Sequence, residues 1–391
     1  MRKYFTLKFD YFCFMKRIYL DNAATTPIDN DVIATITEVM SEVYGNPSSS
    51  HQFGRKAKTL VEKARKSIAT HFNVTAGEVI FTAGGSEADN LILRNAIVNL
   101  DVKRIIISSI EHHAVLHTVQ ALEKEFPITV DYVDVDQKGN INYKHLAELL
   151  TTSDTKTLVS LMYINNELGN LLDIQQVSDL CAENNAYFHS DTVQGIGHYP
   201  IDLQKTPIDF MVASAHKFHG PKGVGFAIIK KGFGIQPILI GGEQERGARA
   251  GTENVHNIAG MHKALDIAIS NLERDKKYIT ELKDYFINRL KTIVPEILFN
   301  GNSDDLERSS YIILNVRFPK ELPMLLFNLD LKGVAASGGS ACQSGSSKGS
   351  HVLNAILQES EAQKTSVRFS FSKYITTDDI DYTISAIKGL C

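Results

Sequence analysis

Between residue 78 and residue 229 the sequence alternates short apolar runs with longer amphipathic ones, and few folds accept that pattern. Glu78–Thr82, Arg104–Ser108, Ile128–Val133, Thr157–Tyr163, Tyr187–His189, Asp209–Ala213 and Val224–Ile229 read as strands. Glu87–Val98, His113–Glu125, Tyr143–Leu150 and Ile174–Asn184 read as the helices between them. Strands separated by helices of this length predict an α/β fold with a mainly parallel sheet. Thr157–Tyr163 is nearly all apolar, as expected of a strand covered on both faces.

The flanks differ. Asp31–Tyr44 and Gly54–Phe72 read as helices before the alternation begins. Val255–Lys291 is a long helical stretch with a break expected near Asn271. Beyond it, strands (Tyr311–Val316, Ser366–Ser370) mix with helices (Leu322–Leu329, Thr377–Ile387), the pattern of a smaller α+β domain. A chain of 391 residues is long for one core. The expected division is an N-terminal extension over 1–15, a large domain over 16–260 and a small domain over 261–391, with part of the small domain supplied by the N-terminal segment. Met1–Phe14 is aromatic and basic, and Met15 is a natural start.

Composition narrows the function classes. A net charge of −4 gives no global field for nucleic acid or a membrane surface. No run of about 18 apolar residues predicts a transmembrane helix. Cys13, Cys181, Cys342 and Cys391 are scattered with no CxxC pair, so neither a disulfide framework nor a zinc site is expected, and a reducing cytoplasm fits. Cys181 falls in a helical pattern and reads as core.

Three features carry chemistry. Lys217, in Ser214-Ala-His-Lys-Phe-His-Gly-Pro221, follows a buried strand and is a candidate Schiff-base nucleophile, although a lone lysine in a turn is usually a surface residue. Gly84-Gly-Ser86 joins a strand to a helix start, where free N–H groups suit a phosphate; most such turns are only turns. Asp191 follows Tyr187–His189, at the carboxyl end of a parallel strand, where open α/β sheets bind ligands; alone such a residue is usually a cap or turn residue. Together they match what pyridoxal 5′-phosphate needs: an amine for its aldehyde, a carboxylate for its ring nitrogen and a helix N-terminus for its phosphate. His112, His113 and His117 read as surface histidines or, at i, i+4 spacing, as metal ligands lacking a nearby carboxylate or thiol.

The motifs Tyr19-Leu-Asp-Asn-Ala-Ala-Thr-Thr-Pro27, Gly45-Asn-Pro-Ser48, Phe81-Thr-Ala-Gly-Gly-Ser-Glu-Ala-Asp-Asn90, Glu111-His112, Asn165-Asn-Glu167, Asp191-Thr-Val-Gln194, Ser214-Ala-His-Lys217, Arg249-Ala-Gly-Thr252, Ser340-Ala-Cys342 and Val367-Arg-Phe-Ser370 run in order along nearly the whole chain. In these the sequence resembles the cysteine desulfurases of the NifS/IscS type, within the class V aminotransferase-like group. The resemblance implies a pyridoxal-phosphate fold of aspartate-aminotransferase type (fold type I) and a homodimer. It implies that Lys217 binds the cofactor aldehyde and Asp191 the pyridinium nitrogen. Asn166 and Gln194 would bond the phenolic oxygen, and Gly85, Ser86, Ser214 and His216 the phosphate. Thr252 would reach the phosphate of the partner subunit. His112 would stack on the ring and relay protons, and Arg368 would hold the substrate α-carboxylate, with Asn166 beside it; a structural salt bridge is the alternative for Arg368.

Cys342 is the implied persulfide carrier. Its surroundings, Ala336 to Ser350, are mostly Ser and Gly, the composition of a flexible loop, longer than in the SufS group. The reaction implied is removal of sulfur from L-cysteine, leaving L-alanine, with the persulfide sulfur passed to an iron–sulfur scaffold, to tRNA thiolation or to another acceptor. With a scaffold, Cys342 is also a candidate transient cluster ligand. A selenocysteine lyase or another class V enzyme is the alternative, and a catalytically silent scaffold a third. The last residue, Cys391, closely follows the last expected helix, and relatives often continue with a tail that docks the scaffold, so docking is expected to differ here.

Overall fold

The computed structural model describes residues 16–338 and 349–390. In chain order the elements are β1 (Ile18–Tyr19), α1 (Asn30–Glu42), α2 (Gln52–His71), β2 (Val79–Thr82), α3 (Gly85–Val98), β3 (Arg104–Ser108), α4 (His113–Glu125), β4 (Thr129–Val133), α5 (Tyr143–Thr151), β5 (Thr157–Ser160), α6 (Ile174–Glu183), β6 (Tyr187–Asp191), β7 (Phe210–Ser214) and β8 (Gly225–Ile229). They continue with α7 (Val255–Ser270), α8 (Leu272–Ile293), β9 (Leu298–Phe299), β10 (Ile313–Arg317), α9 (Leu325–Leu331), β11 (Val334–Ala335), α10 (His351–Ile356), α11 (Glu359–Ala362), β12 (Ser366–Ser370) and α12 (Thr377–Lys388).

The seven-stranded sheet has the order β2-β8-β7-β6-β5-β3-β4. β8 runs antiparallel to both neighbours, and the other pairings are parallel. This is the α/β fold of the sequence reading. Helices cover both faces, so β2, β3, β5, β7 and β8 are buried along their whole length. Burying each of Ile105, Ile106 and Ile107 contributes about 1.5–3 kcal/mol. Two apolar layers result, one built with α2 and α7, the other with α3 and α4.

A second body of core lies around the antiparallel sheet β12-β10-β9 and helices α8 and α12. The chain's early residues belong to it: Ile18, Leu20 and Ala23 pack there, and β1 pairs in parallel with β11. Asn22 donates to the Ser370 carbonyl, 348 residues away in sequence.

Two details differ from the sequence reading, each for a physical reason, and a third agrees with it. β5 stops at Ser160, not Tyr163, because the Met162 N–H turns to the Glu111 carboxylate at 2.8 Å. β6 runs on to Asp191, two residues past His189, because His189, Ser190 and Asp191 all pair with β7. The helix break near Asn271 is there: Asn271 caps α7 and opens α8, and its side-chain amide donates back to Ile267 O at 2.8 Å.

Candidate active site

The parallel strands converge their carboxyl ends on one cavity. β6 ends on Asp191 and β7 on Ser214; the turn after β2 brings Gly85 and Ser86, the turn after β3 brings His112, and the turn after β5 brings Asn166. Gly85, Ser86, Asp89, His112, Asn166, Asp191, Gln194, Ser214, His216, Lys217 and Arg368 all line this cavity of 210 Å³. Ligands are expected at that edge of an open α/β sheet, because loops there are free to vary while the strands hold them. Of the described site residues read from sequence, one is not brought here. Thr252 lines a separate cavity with Gly223 and Arg249, and Cys342 lies outside the described residues, as does Cys391.

Lys217 ends the short 3-10 turn Ala215–Lys217 that follows β7. Its Nζ donates to the carbonyls of Ala23 at 2.6 Å and Ala24 at 2.9 Å. The Gln194 amide also donates to Ala23 O, at 2.9 Å, so one of its two N–H groups is committed to the fold. The Thr26 N–H and hydroxyl both donate to the His216 carbonyl. The segment 22–26 is thus clamped between the two cores at the cavity wall.

His112 is the N-cap of α4. Its Nδ1 accepts the Ala114 N–H at 3.1 Å, which places the ring proton on Nε2. Burial lowers the His112 pKa, and the Lys217 charge adds to that against the opposing pull of Asp191, so a neutral ring is favoured. His216 is pushed down to about 4, first by burial and then by Lys217. Both histidines are therefore poised as neutral donors and acceptors.

The carboxylates are arranged unequally. Asp191 accepts the Val193 N–H at 3.0 Å. Asp89, 1% exposed, is raised well above the usual carboxylate range by burial and then by the charges of Asp191 and Glu111. Glu111 is pushed up to about 8, chiefly by burial. The sequence reading quoted Asp89 inside a motif and gave it no role. Its spacing from Ser86, three residues along α3, puts both on one helix face, and that was the available signal. Behind it His189 stands 3.4 Å from Asp89 and 2.8 Å from the Ser160 hydroxyl, and burial lowers it to about 3.

Arg368 is 1% exposed. It donates to Asn166 O at 2.7 Å and to Asp21 Oδ1 at 3.0 Å, so the structural salt bridge is present. Its Nε has no hydrogen-bond partner, and neither has the buried Asn166 Oδ1. Buried polar atoms without partners are uncommon and call for a ligand or water.

The cavity residues fit pyridoxal 5′-phosphate. Gly84, with φ 154°, lets the chain enter α3 beside Ser214; a Cβ on Gly85 would stand 2.7 Å from the Val193 side chain. A side chain there would fill the mouth of the cradle. The first N–H groups of α3 lack helical partners, as anion sites at helix starts require. With the amine of Lys217, the carboxylate of Asp191 and the unpaired Asn166 oxygen, the donor set suits an aldehyde, a ring nitrogen and a phosphate.

Other readings resolve simply. Cys181 is buried in the large core and burial raises its thiol pKa, as a core residue requires. The rings of His113 and His117 stack at 4.6 Å, and among the described residues no cluster of three or more His, Cys, Asp or Glu side chains is placed to hold a metal. Among the described residues no helix is long and apolar enough to cross a membrane.

Comparison with known proteins agrees over nearly the whole chain. The sequence profile of the family "Aminotransferase class-V" matches residues 18–383. Cysteine desulfurase IscS of Dictyoglomus turgidum is 42% identical over 383 residues, covering 96% of this chain and 95% of that protein. Putative cysteine desulfurase IscS 1 of Bacillus subtilis is 44% identical over 373 residues, covering 94% and 96%. Among solved structures, a NifS-like protein superposes with a TM-score of 0.87 at 34% identity, covering 96% of this chain and 99% of that one. The NifS-like protein of Rickettsia africae gives 0.86 at 34% identity, with coverage of 96% and 99%. The lysine, carboxylate and helix start that share one cavity thus lie on a known scaffold: the chain belongs to the class-V aminotransferase family, whose members depend on pyridoxal 5′-phosphate.

Proposed function

We propose that this chain is a pyridoxal-phosphate-dependent cysteine desulfurase that takes sulfur from L-cysteine, leaves L-alanine and carries the sulfur on Cys342. The observation that carries the reading is the single cavity shared by Lys217, Asp191, His112 and Arg368. The cofactor supplies an electrophilic aldehyde and an electron-withdrawing ring. Lys217 would hold that aldehyde, and Asp191 would hold a proton on the ring nitrogen. The α3 start, with Gly85, Ser86, Ser214 and His216, would hold the phosphate. Asn166 and the second N–H of Gln194 would hold the phenolic oxygen.

Arg368 receives the substrate α-carboxylate, using the buried Nε–H that has no partner in the fold. The Lys217 amine would take the α-proton, and His112, whose Nε2 carries the ring proton, would serve as a proton donor in the relay. The Cys342 thiolate then attacks the substrate sulfur. The carbon–sulfur bond breaks, a sulfur–sulfur bond forms on the enzyme, and the substrate carbon gains hydrogen to become the methyl of L-alanine. Oxidation states balance without an outside oxidant, because the sulfur is oxidised as the carbon is reduced.

The same reading assigns a homodimer in which Thr252 serves the partner's phosphate site, an acceptor protein such as an iron–sulfur scaffold, and the reducing cytoplasm that scattered cysteines without a CxxC pair suit. Sulfide release from L-cysteine in the presence of a reductant tests the core of it. Wild type should release sulfide, and Cys342→Ser should not while keeping its cofactor colour. Equal release by both would remove Cys342 from the reaction.

A further inference from the structure

His198 lies outside every motif quoted above, yet it touches the backbone of Lys217. The three carbonyls of the turn Ala215–Lys217 are each taken up by a different part of the molecule. Ala215 O accepts the N–H groups of Phe218 and Gly220, His216 O accepts from Thr26, and Lys217 O accepts the Nε2–H of His198 at 3.1 Å. A carbonyl at the end of a helical turn has no partner within the turn, so the donor that reaches it fixes the orientation of that last peptide. That peptide sets where the Lys217 side chain starts.

The imidazole is itself held. The Tyr311 hydroxyl stands 3.3 Å from His198 Nδ1 and donates to the His198 carbonyl at 3.0 Å. The rings meet nearly edge to face, with centroids 6.0 Å apart. Tyr311 is buried, and it belongs to the second core, not to the large sheet. Burial lowers the His198 pKa, which favours the neutral ring, and because the Lys217 carbonyl can only accept, the ring proton sits on Nε2 and Nδ1 is left unprotonated.

We propose that His198 is a positioning residue for Lys217, and that through it Tyr311 of the second core fixes the reach of the cofactor-binding amine on the first. This rests on the reading of Lys217 as the residue that holds the cofactor. His198 ties the lysine's backbone to the second core, while the Ala23 carbonyl of that core receives its Nζ, so a small shift of one core relative to the other reaches both ends of the lysine.

The test uses the cofactor-loaded enzyme and three variants, His198→Leu, His198→Gln and Tyr311→Phe, with Lys217→Ala as the control. The readouts are the visible circular dichroism of the bound cofactor, its release rate, and kcat and KM for L-cysteine. His198→Leu should release cofactor about tenfold faster, the effect of one lost hydrogen bond. Its visible dichroism should change and its kcat fall with KM unchanged. His198→Gln keeps an N–H donor and should recover most of the loss. Tyr311→Phe should move the same readouts the same way by less. A folded His198→Leu with wild-type dichroism and release rate overturns the proposal, as does a glutamine variant no better than leucine. If the leucine variant does not fold, unchanged dichroism and kcat in Tyr311→Phe overturn it. If Lys217→Ala keeps the wild-type visible band, the lysine reading itself falls, and this proposal with it.

Discussion

Lys283 is fully buried and Lys217 partly buried, and the two stand in opposite surroundings. Lys283, on α8, is 0% exposed and shares the helix's buried face with Ile279, Leu282, Phe286 and Ile287. It gives its protons to Ser309 Oγ and Ser310 O, both at 2.8 Å, and burial pushes it down to about 7. Lys217 likewise reaches two oxygens, but it lines a cavity whose other walls hold Asp191, His112 and polar atoms without partners. A depressed amine pKa is often taken as the mark of a working lysine. The structural Lys283 carries it, so the shift by itself does not identify a working lysine. What singles out Lys217 is the space beside it and the unsatisfied groups that face that space.

Exchanging the two amines for methyl groups should separate these roles. Lys217→Ala should abolish the visible cofactor band and lower desulfurase activity by about 10³-fold or more, with the melting temperature of the apoprotein little changed. Absorbance and calorimetry check this; a wild-type band in the variant removes Lys217 from the site. Lys283→Ala should do the reverse. It leaves a void and an unpaired carbonyl, and should cost about 2–5 kcal/mol of unfolding free energy while activity per folded molecule stays near wild type. Denaturant titration reads the first and active-site-normalised rates the second.

Stability against pH gives a smaller, signed contrast. The folded state lowers Lys283 from its ordinary 10.5 to about 7. Between those values the unfolded chain binds more protons, so wild-type stability should rise with pH across that window relative to Lys283→Met. A constant difference between the two proteins from pH 7 to 10 would mean that Lys283 is not buried as described. Glu111, beside the cavity, has the opposite sign. Its folded pKa is raised from 4.5 to about 8, so its contribution should decline as pH rises from 4.5 to 8. Glu111→Gln keeps an oxygen for the Met162 N–H and should flatten that decline, with a change of about 1 kcal/mol or less at low pH.

Much of this was legible in sequence, for local reasons. The strand–helix alternation announces itself because β2, β3, β5, β7 and β8 are buried on both faces, and Asp191 and Lys217 stand at strand ends where a short turn follows. The less legible parts depend on distant partners. β1, β9 and β11 are two residues each, too short to show any period, and exist because other strands pair with them. That β8 runs against its neighbours follows from the way the chain returns after Lys217, which no residue pattern in β8 encodes. Asp89 was passed over because one acidic residue on an amphipathic helix looks solvated until the sheet beneath it is known. His198 was passed over because its partner is a backbone carbonyl, and carbonyls leave no trace in a sequence.

The segment at residues 18–24 sets a timetable for synthesis. Its side chains pack into the second core, and its carbonyls receive Lys217 and Gln194. Its pairing partners, β11 and Ser370, emerge from the ribosome more than 300 residues later. At about 5–20 residues per second that is a wait of roughly 15–70 s, and in its last part, once β8 is made, the large sheet is complete but one wall of the cofactor cavity is not. Cofactor capture should therefore follow translation of residue 370. Ribosome-bound chains stopped before β12 should show no cofactor colour, and colour in such chains would mean that the wall closes without its partners.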